Sequence, residues 1–279
     1  MILILKLPFL LLLLLSFFVY AEDENETIVG NIGVLKKVSS RNIRWKKDGA
    51  KMVLIPGGKN TKPFWIDTTE VTVGQFKKFL LESTYQFDTK LWENIRNFSA
   101  GDQYPVVYVS WDDAVAYSKW SGKRLPREEE WEWAARGKLK GKTYPWGNDQ
   151  GQARDYANLN GIGSRDKWEY SAPVGSFKPN GYGLYDMAGN VWEWCLDSYD
   201  DRFYYKSPKK NKSPKKNPIS ARWSIKGITK NYVRITSNRI LRGGAWHSAV
   251  GNMRVAYRYN SIPRANTSYV GFRCVVNMD

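Results

Sequence analysis

The chain has 279 residues and a formal net charge of +16, from 43 Lys and Arg against 27 Asp and Glu. Aromatic residues make up 15% of it and glycines number 23, which favours many short segments and turns and argues against a bundle of long helices. One histidine cannot build a two-histidine metal triad, and two cysteines leave room for one disulfide at most.

Met1 to Tyr20 carries one charge, Lys6, and a nearly unbroken apolar run from Leu10 to Val19. Val19-Tyr20-Ala21 and an acidic flank follow, so residues 1–21 read as a secretory signal cut after Ala21, with a membrane anchor as the alternative reading. No cysteine near the cut could take a lipid. The expected product is exported, either periplasmic or secreted. Residues 22–50 are polar and lack periodicity, which predicts a mobile lead-in to a single domain over 51–279.

That domain opens with strand-like Met52 to Ile55, a Pro56-Gly57-Gly58 turn and a second short strand over 63–67. Val73, Phe76, Phe79 and Leu80 fall at helical spacing behind Thr72, a candidate N-cap. A second helix is expected from Ser110 to Trp120, with Asp112 and Asp113 in its first turn and Gly122 stopping it. A third begins near Pro126 and ends at Gly137, its first turn holding Glu128, Glu129 and Glu130. From Tyr144 on, turn signals dominate and regular structure should be sparse.

Lys206-Ser207-Pro208-Lys209-Lys210-Asn211 repeats at once as Lys212 to Asn217. This insert, at about 205–218, is expected to be a solvated loop, either without specific function or a contact for an anionic surface through Lys206–Lys216. It concentrates much of the charge excess, and no nucleic-acid partner is expected. Further strands are expected at 240–242, 254–257 and 271–276, giving a loop-rich α+β domain on a twisted antiparallel sheet. Cys195 and Cys274 would close a loop of about eighty residues if bonded, adding ~3–4 kcal/mol. The alternative is two separate buried thiols.

The order of blocks carries a resemblance. Met52 to Gly58, Glu70-Val71-Thr72, Pro105-Val106 with Val109-Ser110-Trp111, Arg124-Leu125-Pro126 with Glu130-Trp131-Glu132, and Pro145-Trp146-Gly147-Asn148 stand in sequence. Asn180 to Asp186, Gly189 to Trp194, Arg242-Gly243-Gly244 and Gly271 to Cys274 follow. Together they resemble the formylglycine-generating enzyme, or sulfatase-modifying factor, family over about residues 50 to 276. The resemblance implies a C-type-lectin-like architecture and structural calcium. One calcium site would use Asn158, the Leu159 carbonyl, Asp166 and the Trp168 carbonyl. The other would use Asp186, the carbonyls of Gly189 and Val191, and Glu193.

Enzymes of that family oxidise a substrate cysteine with two cysteines that lie shortly after the Arg-Gly-Gly block, using copper and oxygen. This sequence has no thiol between Cys195 and Cys274, so the soft ligands that hold Cu(I) are missing and copper is not expected. An iron-dependent branch of the family needs a histidine cluster, and only His247 exists. The chain therefore reads as a non-catalytic recognition or scaffold module. It would bind a protein or glycan through the loop after Gly244, which presents Trp246, His247, Ser248, Asn252, Arg258 and Arg264. The alternative is an oxidoreductase of formylglycine type, or another activity in the same cleft.

Overall fold

The computed structural model describes residues 26–200 and 225–278. The signal segment and the Lys/Pro insert lie outside the described residues. The described residues form two sheets with short helices packed among long loops. The first sheet contains β1 (Ile28–Val29), β2 (Asn42–Trp45), β3 (Lys51–Ile55), β4 (Phe64–Asp67) and, from the far end of the chain, β9 (Val275–Asn277). The second runs β7 (Tyr259–Ser261), β6 (Arg239–Arg242), β5 (Trp192–Ser198), β8 (Val270–Gly271). Both sheets are mixed, because β1 pairs with β2, and β5 with β8, in parallel. The expected single antiparallel sheet is thus replaced by two mixed ones in an α+β fold.

The segment from Glu26 to Ala50, expected to be a mobile lead-in, is built into the first sheet. Val29, Ile43 and Trp45 are buried with Leu35 of the short helix α1 (Ile32–Leu35). The Trp45 indole N–H donates to the Ser121 carbonyl at 2.7 Å.

Helix α2 (Val73–Leu81) begins where its cap predicts. The Thr72 hydroxyl accepts from the Gln75 N–H, and the Gln75 side chain accepts from the Thr72 N–H. Helix α4 (Trp111–Trp120) is capped in the same reciprocal way by Ser110 and Asp113. Between them lies α3 (Leu91–Phe98), a helix without a side-chain cap bond, Lys90 standing at its N-cap position. Helix α5 (Glu128–Ala135) follows, and then α6 (Ala153–Tyr156) and α7 (Ile225–Asn231).

Large indoles space these layers, and three of them tie β5 to its neighbours through their N–H groups. Trp111 donates to the Cys195 carbonyl (2.9 Å), Trp194 to the Val109 carbonyl (3.0 Å), and Trp131 to Glu193 (2.8 Å). Each therefore buries a large apolar surface while joining a helix or its lead-in to β5.

The final strand expected at 271–276 is split. β8 belongs to the second sheet and β9 to the first, and the chain between them pairs with two other segments. The Phe272 carbonyl accepts from the Val71 N–H (2.8 Å), and the Cys274 carbonyl accepts from the Asp67 N–H (2.9 Å). Residues 270–277 thus join the two sheets. The expected strand at 254–257 is absent because the Val255 and Tyr257 carbonyls accept from the Arg242 guanidinium (2.6 and 2.8 Å). The actual strand, β7, comes later.

Cys195 and Cys274 are both free, buried thiols, so the expected disulfide is overturned. Cys195 packs with Trp131, Ile240 and Val275, whereas Cys274 belongs to the cluster around Tyr117 and Phe272. Burial pushes both thiols well above their ordinary pKa, which makes them poor nucleophiles.

Candidate functional site

After β6 the chain turns at Gly243-Gly244 and folds onto the Asp186–Asn190 turn. The Gly189 N–H donates to the Gly243 carbonyl (3.0 Å) and the Trp246 N–H to the Asn190 carbonyl (2.9 Å). Gly189, at φ 76°, lies so close to Asn158 that a Cβ would sit 2.1 Å from its carbonyl oxygen. Only glycine permits this docking.

The loop projects Trp246 and His247. The Trp246 indole stacks on Phe98 (centroids 5.8 Å apart, 25° between planes) and meets Tyr170 edge-on at 5.2 Å. Its N–H donates to the Ser268 carbonyl at 3.3 Å. His247 is exposed, its ring 4.4 Å from Tyr269 and 5.0 Å from Trp246. Partial burial lowers its pKa, which favours the neutral imidazole. Four segments thus converge on one aromatic patch. Phe98 and Tyr170 went unnoticed in the sequence because each stands far from the Arg-Gly-Gly block, and Phe98 lies on the unanticipated α3.

The other expected face residues divide. Ser248 is buried, and its hydroxyl accepts from the Ala245 N–H at 3.1 Å, so it closes the turn. Asn252 is half-buried in a 3-10 turn. Arg258 folds inward, donating to both oxygens of Glu128 at 2.5 and 3.0 Å. Arg264 stays exposed, 3.4 Å from Asp112 and bonded to the Val233 carbonyl. Arg242 itself is fully buried and ties the loop to α5 through Glu132 (2.8 Å) and Glu128 (3.3 Å).

The expected calcium positions are held by arginines. At the second, Arg273 is fully buried and donates to Glu193 at 2.7 and 2.8 Å and to the Tyr185 carbonyl at 2.9 Å. Asp186 accepts from the Gly175 N–H at 2.7 Å, and burial pushes its pKa up to about 6. Nearby Glu70 is pushed up further by burial and by the Asp186 charge.

At the first position Asp166 accepts from Arg154 (3.0 Å) and the Leu159 N–H (3.1 Å), while the Asn158 amide donates to the Tyr170 carbonyl (2.7 Å). Asn158 Oδ1 and Asp166 Oδ1 have no hydrogen-bond partner. Even so, among the described residues no group of three His, Cys, Asp or Glu side chains is placed to hold a metal ion. A cation needing six to eight oxygens does not fit this donor set, and the calcium expectation at Asn158, Leu159, Asp166, Trp168, Asp186, Gly189, Val191 and Glu193 is overturned.

The profile of the sulfatase-modifying factor enzyme 1-like domain matches residues 42–278. The chain belongs to this family. It is 31% identical to the formylglycine-generating enzyme of Streptomyces coelicolor, over 78% of this chain and 79% of that one. It is 30% identical to the bovine inactive C-alpha-formylglycine-generating enzyme 2, over 83% of this chain and 91% of the relative. Among solved structures PvdO from Pseudomonas aeruginosa is similar with a TM-score of 0.62 at 25% identity, over 84% of this chain and 97% of PvdO. Some other formylglycine-generating enzymes are matched over about half their length. The stretch after Arg242-Gly243-Gly244 holds no cysteine, so the chain lacks the active-site cysteine pair of the family's oxidases.

Proposed function

We propose that this chain is an exported recognition module with a C-type-lectin-like architecture, binding a protein or glycan through the patch of Phe98, Tyr170, Trp246, His247 and Tyr269. The observation that carries the reading is the arrangement of Trp246 and His247. Rings are displayed at the position where the family's reactive cysteines would follow the Arg-Gly-Gly block, and the exposed imidazole has neither a thiol nor a second imidazole to work with. Rigid aromatic surface at low conformational cost is what recognition sites favour. Similarity to a relative named as inactive supports the same reading.

On this account residues 1–21 direct export, and the lysine repeat at Lys206–Lys216 adds a nonspecific hold on an anionic surface. The test is a glycan and extracellular-protein array probed with the mature parent and with a Trp246→Ala, His247→Ala variant of unchanged circular dichroism. Ligands retained by the parent and lost by the variant support the proposal. Equal binding by both would remove the patch from the account.

A further inference from the structure

A second concave site shares no residue with the aromatic patch. Trp133, Arg136, Lys138, Leu139, Lys140 and Tyr182 line a cavity of about 210 Å³ at the C-terminal end of α5. Two walls are aromatic, three lining residues are cationic, and no carboxylate lines it. We infer that this slot binds one acidic sugar unit, a saccharide ring carrying a sulfate, phosphate or carboxylate.

Both walls are fixed before any ligand arrives. The Trp133 indole donates to the Pro56 carbonyl at 2.8 Å. On the Tyr182 side, Asn180 donates to the carbonyls of Ala134 (2.9 Å) and Ala135 (3.2 Å), and its own side-chain oxygen accepts from the Tyr182 N–H (2.9 Å). Gly181 presses on the helix end so closely that a Cβ would lie 2.1 Å from the Gly137 oxygen. The turn carrying Tyr182 is therefore locked to α5, and a preorganised slot loses little entropy on binding.

The cations are not explained by folding alone. Arg136 is held by Glu132 at 2.6 and 3.2 Å and sits where a helix C-terminus favours positive charge. That effect fades within the last turn and does not reach Lys140. Lys138 and Lys140 are exposed and have no carboxylate partner among the described residues. Lys138 also adopts φ 72°, a left-handed conformation that glycine or asparagine takes more readily, and its Nζ lies 5.5 Å from the Tyr182 ring centre.

The volume is below the ~300–1,000 Å³ of a drug-sized pocket, so the site suits a single ring rather than a nucleotide. A bare anion would make no use of the aromatic walls. A ring with an apolar face and an acidic substituent uses both.

The experiment measures binding of a sulfated heparin hexasaccharide at 150 mM salt by titration calorimetry. A desulfated hexasaccharide, a single-stranded oligonucleotide of matched charge, a sulfotyrosine peptide and sodium sulfate are run beside it. Lys138→Gly with Lys140→Ala removes the two charges while relieving the left-handed backbone, and Tyr182→Leu removes one wall. A control, Lys209→Ala with Lys210→Ala, removes the same charge from the repeat. The inference predicts that each site variant weakens the sulfated saccharide about tenfold, that the control changes it less than about twofold, and that the desulfated form binds at least about tenfold more weakly. Equal losses in control and site variants, equal or tighter binding of the oligonucleotide or peptide, or no saccharide binding would overturn it.

Discussion

Arg273 offers the sharpest test of how the core is held. Its guanidinium is fully buried and donates to both Glu193 oxygens at 2.7 and 2.8 Å, while Trp131 donates to Glu193 from α5. Arg273→Met keeps an unbranched side chain of similar reach, so little cavity is created, but it leaves Glu193 without its counter-charge. Removing one partner of a buried pair costs ~3–5 kcal/mol, a large part of the stability of a typical domain. Urea unfolding followed by tryptophan fluorescence measures that loss. Adding Glu193→Gln removes the stranded charge, keeps an oxygen for Trp131, and should restore at least ~1 kcal/mol relative to Arg273→Met alone. A loss below ~1 kcal/mol for Arg273→Met, or a double variant as unstable as the sum of the singles, would refute the ion-pair account.

Three further outcomes are expected. Because arginines stand where calcium was expected, the parent's unfolding midpoint should be the same in calcium and in EDTA, and a calcium-dependent rise would contradict the assignment. Cys195 and Cys274 should resist alkylation in the native state and react in urea, and reductant should leave the thermal midpoint unchanged, whereas loss of a disulfide would lower stability by ~3–4 kcal/mol. Burial pushes Asp197 up to about 7 from its usual 3.8, so the folded state holds its proton more tightly than the unfolded chain does. Stability from this group is therefore present at low pH and lost as pH rises from about 4 through about 7, by at most ~1.4 kcal/mol per pH unit. Asp197→Asn, measured by thermal unfolding between pH 5 and 8, should flatten that slope, and an unchanged slope would refute the assignment.

Local signals made part of the architecture legible. Thr72 and Ser110 announced α2 and α4 because an N-cap is a short-range device, fixed by residues three positions apart. β5 was missed although it is central to its sheet. Trp192, Trp194 and Leu196 alternate with Glu193, Cys195 and Asp197 as a strand requires, but the segment stands in the turn-rich stretch after Tyr144, and all seven residues are buried where alternation would put one face in water. α3 was hidden for a different reason, since Lys90 stands at its cap position without a side-chain cap bond. At the candidate site the loop with Trp246 and His247 was legible from the Arg-Gly-Gly block. Its partners Phe98 and Tyr170 were not, because they are joined to it by tertiary packing alone. The calcium expectation failed because Asp186 and Glu193 were read without Arg273, which is distant in sequence and reaches them across the fold. The disulfide failed likewise, since an even cysteine count carries no information on proximity.

The central claim is that the chain keeps the family's fold without its cysteine chemistry. The most direct test is to incubate the purified chain with a sulfatase-motif cysteine peptide, copper and oxygen, with a family enzyme beside it, and to follow the peptide by mass. The account predicts complete recovery of the peptide thiol from this chain and its conversion by the enzyme; conversion by this chain would contradict it.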